Sequence, residues 1–130
     1  MREVLKALEE FHTAFGHPVA DKPSIPELQT CNLRFRLMEE ENREYLDACY
    51  EGNLVEVADA LGDKLYILAG TMLVHGMQDK IIEVFNEIQR SNMSKLGKDG
   101  KPIFRKDGKI LKGPDYSPPN IKPILDENKV

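Results

Sequence analysis

The sequence predicts an all-α protein, an antiparallel four-helix bundle followed by an extended C-terminal tail that can close a short hairpin. Three observations lead there. Four stretches place apolar residues at helical spacing and are bounded by capping residues, glycine or proline. The two longest are joined only by Glu51-Gly52-Asn53, so they should run antiparallel side by side. The helical pattern stops near Gly97, and lysine, glycine and proline dominate the rest of the chain. Residues 1–97 are therefore expected to form the bundle, and residues 98–130 a basic tail of the same domain.

The first helix is expected from Glu3 to Phe15, with Val4, Leu8, Phe11 and Phe15 on one face and Gly16 and Pro18 as stops. The second should open on Ser24-Ile25-Pro26-Glu27, a capping box with proline in the first turn, and run to about Tyr50 before Gly52. Asn53 is a good N-cap for the third, which continues to about His75 and Gly76. Between Val57 and Val74 its only charged residues are Asp59, Asp63 and Lys64, so it should lie in the middle of the bundle. The fourth spans about Asp79 to Lys95, with Ile81, Phe85 and Ile88 as its apolar stripe. In the tail, Asp107-Gly108 can turn Ile103-Phe104 back onto Ile110-Leu111, and the stretch from Pro114 to Pro123 should be extended or loop-like.

Length and composition set the class. A chain of 130 residues with 41% hydrophobic content can build one real core. No apolar run reaches the roughly 20 residues of a membrane span, and the mixed N-terminus is unlike a signal peptide. Cys31 and Cys49 lie too far apart on one helix to bridge and read as reduced thiols of a cytoplasmic protein. The net charge is −4, unevenly spread. From Glu39 to Asp63 there are nine acids against Arg43 alone, whereas Lys95 to Lys112 is basic. Such a division suits a metal site beside an anion site, but composition alone favours a solvated acidic face beside a solvated loop.

The phases of the acids are more informative. The inward stripe of the second helix runs Leu33, Leu37, Glu41 or Glu40, Glu44, Ala48, turning from apolar to carboxylate. On the third helix Asp63 shares a face with Ala60, Ile67 and Val74, and Asp59 lies one turn earlier. Carboxylates in apolar surroundings need a compensating charge. Arg34 lies two turns before Glu41, and Arg43 and Lys64 point elsewhere around their helices. A hard divalent cation such as Mg²⁺ would compensate them. An acidic rim open to water fits the pattern equally well.

Glu40-Glu41-Asn42-Arg43-Glu44, followed by Ala58-Asp59-Ala60-Leu61-Gly62-Asp63-Lys64-Leu65-Tyr66, resembles the EExxE and ExxD motifs of the all-α nucleoside triphosphate pyrophosphohydrolases. These are the MazG-like proteins, phosphoribosyl-ATP pyrophosphohydrolases and dimeric dUTPases. Glu10-Phe11-His12 with Phe15-Gly16 is similar to the first helix of the MazG-like branch. Ser91-Asn92-Met93-Ser94-Lys95 is similar to its Asn-x-x-Lys motif, and Asp107 to Pro119 to its C-terminal segment. The resemblance implies a MazG-like bundle holding Mg²⁺, for which Mn²⁺ can substitute. It implies Glu41, Glu44 and Asp63 as metal ligands, and Glu40 as a ligand or the catalytic proton acceptor. It also implies Asn92 and Lys95 as substrate contacts, with Lys109 and Lys112 as weaker ones. The second motif has two registers. Asp63 can be its aspartate, in which case Ala60 replaces the expected Glu and Asp59 is the nearest substitute ligand. Alternatively Glu56-Val57-Ala58-Asp59 is a literal ExxD, although Glu56 also suits the capping box of Asn53. The reaction implied is hydrolysis of an α–β phosphoanhydride to a nucleoside monophosphate and pyrophosphate. A binding module that has lost catalysis is the alternative, kept open by Ala60.

Other chemistries fit less well. A di-iron bundle wants two Glu-x-x-His motifs, and only Glu9 with His12 qualifies. His12, His17 and His75 are scattered, there is no Cys pair for zinc, and no phosphate loop precedes a Lys-Ser or Lys-Thr. The acidic balance argues against nucleic acid as a partner. The apolar third helix, like the resemblance, implies a homodimer or a dimer of dimers.

Overall fold

The computed structural model describes residues 1–126, which fall into two compact units, 1–79 and 80–126 of the described chain. The first unit holds three long helices, α1 (Arg2–Phe15), α2 (Leu28–Glu51) and α3 (Leu54–Val74). Both α1 and α2 pack on α3, which is thus the middle element of this unit. No helix among the described residues is long and apolar enough to cross a membrane.

The turn between α2 and α3 forms as its residues dictate. Gly52 takes the left-handed conformation, with φ of 67°, and its N–H caps the carbonyls of Ala48 and Cys49. Asn53 then caps α3, its side-chain oxygen accepting the Glu56 N–H at 3.1 Å. The reciprocal half of a capping box is missing, because the Asn53 N–H donates instead to the Ala48 carbonyl at 3.1 Å. The Glu56 carboxylate is therefore left for another use.

Two expectations are corrected here. The second helix begins at Leu28, with Glu27 as N-cap, and not at a Ser24 capping box. Ser24 is tied to the end of α3, its N–H donating to the His75 carbonyl at 2.9 Å while its own carbonyl lies 3.0 Å from His75 Nδ1. The neighbouring connector is held in the same way. The Ala20 N–H bonds the Leu73 carbonyl at 2.9 Å, and Gln78 Nε2 bonds the Ala20 carbonyl at 2.8 Å. The inward face of α1 is also displaced from the expected stripe. Leu5, Leu8 and His12 are buried, whereas Phe15 is exposed.

The second unit begins with α4 (Ile81–Met93), shorter than expected at both ends. Its apolar stripe is not a buried one, since Phe85 is 66% exposed and the buried residue is Ser91. The hairpin forms as expected. Strands β1 (Ile103–Phe104) and β2 (Ile110–Leu111) pair antiparallel, Ile103 opposite Leu111 and Phe104 opposite Ile110. The tail then returns to α4. The Gly113 N–H bonds the Lys95 carbonyl at 2.8 Å, the Ser117 N–H bonds Ser94 Oγ at 2.9 Å, and the Asn120 N–H bonds the Glu87 carboxylate at 2.7 Å. A short helix, α5 (Lys122–Asp126), stands where only loop was expected.

Candidate metal centre

The antiparallel pair of α2 and α3 brings three carboxylates together. One oxygen each from Glu41, Glu44 and Asp63 lie within 4.8 Å of one another. Glu41 and Asp63 are half-buried and Glu44 is exposed. Steps of three and four residues on α2, and the middle of the inner face of α3, place these acids on the seam. No ion pair reaches any of the three among the described residues.

The electrostatics record the crowding. Burial, the close approach of the Glu44 carboxyl, and the charges of Glu44, Asp63 and Asp59 push the Glu41 carboxyl up to about 7. Burial, then the charges of Asp59 and Glu44, also raise Asp63. Glu41 Oε2 is buried with no hydrogen-bond partner. A buried carboxylate oxygen without a donor, among like charges, is what a bound cation would relieve. The donors are all oxygens, which suits a hard cation such as Mg²⁺ or Mn²⁺ better than zinc. Neighbouring ligand oxygens on one Mg²⁺ stand about 3 Å apart, within reach of small side-chain rotations from the present spacing.

Nearby cations are engaged elsewhere, as their phases require. Lys64 Nζ lies 5.4 Å from the centroid of the Tyr45 ring. Arg34 turns from the carboxylates to Thr71 Oγ1 at 3.0 Å and the Ile67 carbonyl at 2.9 Å.

A second acidic feature adjoins the cluster. A cleft of about 350 Å³ is lined by Glu44, Asp47, Glu51, Asn53, Glu56 and Asp59, with the buried Ala48 and Ala60 among its walls. Asp59 thus lines this cleft beside Ala60, and its charge is felt by Glu41 and Asp63. Asp47 and Glu51 had no place among the expected site residues, although the spacing of Glu44, Asp47 and Glu51 already put them on one helical face. Glu40 is exposed and lines a separate open cleft with Glu39, Arg43 and Glu44.

The four expected substrate contacts all belong to the second unit. Asn92 is exposed in the last turn of α4, and Lys95 comes just after that helix, half-buried. Lys109 is exposed beside the hairpin turn, its N–H bonding Asp107 at 3.1 Å. Lys112 Nζ lies 4.9 Å from the Tyr116 ring centroid. Of the histidines, His12 and His17 come together, with ring centroids 5.4 Å apart. His12 Nδ1 bonds the Pro18 carbonyl, and neither ring joins a metal-binding group among the described residues.

A helix pair that gathers carboxylates on its seam places the chain among all-α proteins with an acidic cluster between two helices. Sequence comparison narrows the class. The profile of the phosphoribosyl-ATP pyrophosphohydrolase family matches residues 8–92, and the chain belongs to that family, within the MazG-like nucleoside triphosphate pyrophosphohydrolase superfamily. The match contains every carboxylate of the cluster. Uncharacterized protein L479 of Acanthamoeba polyphaga mimivirus is 33% identical over 111 residues, covering 82% of this chain and 41% of that protein. The chain thus spans less than half the length of that relative. A solved structure of a protein provisionally called an NTP pyrophosphohydrolase, from Exiguobacterium sp. 255-15, is 27% identical, with a TM-score of 0.48 over 95% of this chain and 92% of that one.

Proposed function

We propose that the protein is a divalent-metal-dependent pyrophosphohydrolase that cleaves the α–β phosphoanhydride of a nucleoside triphosphate, releasing the monophosphate and pyrophosphate. The observation that carries this reading is the convergence of Glu41, Glu44 and Asp63, with a buried, unpartnered oxygen on Glu41 and no ion pair to any of the three among the described residues. Family membership supports the reaction class. Glu41, Glu44 and Asp63 would hold the metal, and Asp59, on the neighbouring wall, would add a fourth carboxylate. Mg²⁺ bound there would offset phosphate charge and make a water molecule more acidic. Glu40, which shares an open cleft with Glu44, is the proposed acceptor for the proton of that water. Asn92, Lys95, Lys109 and Lys112 remain candidate substrate contacts on the chemistry of their side chains alone. We also propose that the protein works as a homodimer or a dimer of dimers.

Pyrophosphate release from a panel of ribo- and deoxyribonucleoside triphosphates, with Mg²⁺ and again with EDTA, tests the reading. Metal-dependent release of one pyrophosphate per monophosphate is expected. A second reading, a nucleotide-binding module without catalysis, is favoured by Ala60, which is buried where the family motif carries Glu. Nucleotide binding with no turnover of any triphosphate would establish it instead.

A further inference from the structure

We infer that Arg34 is a positioning residue for the carboxylate cluster, lying across Gly70 to set the register of α2 on α3 that brings Glu41 and Glu44 to Asp63. The inference rests on the metal centre proposed above.

Arg34 is only 8% exposed. Its Nε donates to Thr71 Oγ1 and its Nη2 to the Ile67 carbonyl, and no carboxylate pairs with it among the described residues. A guanidinium buried against neutral oxygens is a poor source of stability, and an apolar side chain of similar length would bury at less cost. What the guanidinium adds is direction, two hydrogen bonds that are made in one placement of α2 along α3.

Gly70 makes that placement possible. A methyl group there would lie 2.7 Å from Arg34 Nη2 and 2.8 Å from His12 Nε2, so α1 and α2 both close onto α3 at a point without a side chain. His12 supports the arrangement. Its Nδ1 faces the Pro18 carbonyl at 3.0 Å and so carries the proton, leaving a neutral Nε2 on the Gly70 side. Burial, together with the Arg34 charge, lowers the pKa of this ring and keeps it neutral.

The register carries the effect to the metal site. Glu41 stands seven residues after Arg34, and Asp63 seven before Gly70. Equal steps along antiparallel helices keep partners opposite, and seven residues make about two turns, or about 10 Å. Three residues further, Glu44 comes opposite Ala60. Beyond the cluster the seam is walled by Ala48 and Ala60, small side chains that interlock weakly. A slip of one residue would rotate each carboxylate about 100° off the seam.

Mn²⁺ binding followed by electron paramagnetic resonance, with urea unfolding alongside, separates this role from a merely structural one. The wild-type chain should bind Mn²⁺. Arg34→Met should unfold at a urea concentration no lower than wild type, yet bind Mn²⁺ about tenfold more weakly, because the carboxylates lose the register that brings them together. Thr71→Val, which spares the bond to Ile67, should lose about two- to threefold. A structural role alone would lower the urea midpoint and leave the affinity of the folded protein unchanged. Mn²⁺ affinity within about twofold of wild type in folded Arg34→Met overturns the proposal, and unchanged affinity in Thr71→Val does so if Arg34→Met does not fold. A wild-type chain that binds no Mn²⁺ removes the metal centre itself, and the register role with it.

Discussion

Asp63 and Asp59 lie one turn apart on α3, yet the structure gives them different surroundings. Asp63 belongs to the triad with Glu41 and Glu44, whereas Asp59 lines the adjoining cleft. Asp63→Asn removes a ligand charge with almost no change of shape, so it should abolish hydrolysis while leaving the circular dichroism spectrum unchanged. Asp59→Asn should slow the reaction or raise the Mg²⁺ requirement, but less. Equal rate and equal Mg²⁺ dependence in Asp59→Asn would make Asp59 a solvated bystander. Ala60→Glu should be tolerated, because its position opens onto the cleft. Glu41 gives the protonation prediction. Raised to about 7, its carboxyl keeps a proton that an unfolded glutamate would already have released. The metal-free protein therefore loses stability as pH rises from the ordinary glutamate range towards 7, and bound metal reverses the trend. Since metal and proton compete for the same oxygens, the apparent Mg²⁺ affinity should be about tenfold weaker at pH 6 than at pH 8. Calorimetric titrations in buffers of different ionisation enthalpy should show proton release near pH 7. A pH-independent affinity would mean that Glu41 is not a ligand.

Among the elements, the join between α2 and α3 decides whether the acids meet, and it depends on short-range chemistry. Asn53→Ala removes the acceptor for the Glu56 N–H and should lower stability by about 1 kcal/mol in urea unfolding. An unchanged midpoint would show that the cap is dispensable. This join was legible in the sequence because Gly52 and Asn53 act on their own neighbours. The same holds for the face of α3 that carries Asp63, and for the pairing of Ile103-Phe104 with Ile110-Leu111. The expected inward stripe of α2 is corrected in part, since Leu33 is 44% exposed and Arg34 is buried in its place. Features that the sequence did not disclose were settled by partners far along the chain. Ser24 and His75 are 51 residues apart, and their bonds keep residues 24 to 27 out of the second helix. His12 is buried because Gly70, on another helix, leaves it room, whereas hydrophobicity alone would place Phe15 inward. Asp47 and Glu51 became part of a cleft only once Ala48 and Ala60 left space across the seam.

At the scale of the whole molecule, the hydrophobic residues are unevenly covered. Among the described residues those buried are Leu5, Leu8, Ala48, Ala60, Ala69, Leu73 and Val74, with no aromatic side chain among them. By contrast Phe35 is 60% exposed, Leu61 50%, Leu65 40% and Leu68 44%. These exposures form a pattern. Leu61, Leu65 and Leu68 lie on one face of α3, and Phe35, Met38, Asn42 and Tyr45 succeed one another in steps of three, four and three along α2. Met38, Asn42, Lys64, Leu65 and Leu68 line an open cleft of about 410 Å³ between the two helices. Such spacing is that of a helix-packing seam, and this half-exposed apolar face is where the proposed homodimer would join. In that proposed pair a second copy would supply a matching seam, and Asn42, polar within the stripe, would fix its register by pairing with its equivalent. Light scattering at micromolar concentration should therefore give twice or four times the chain mass of 14.8 kDa. Leu65→Glu would set two charges against each other near the axis of a twofold pair, and should shift the protein to monomer while α2 and α3 stay folded. A wild-type monomer at that concentration, or a Leu65→Glu variant of unchanged mass, would place the association surface elsewhere or remove it.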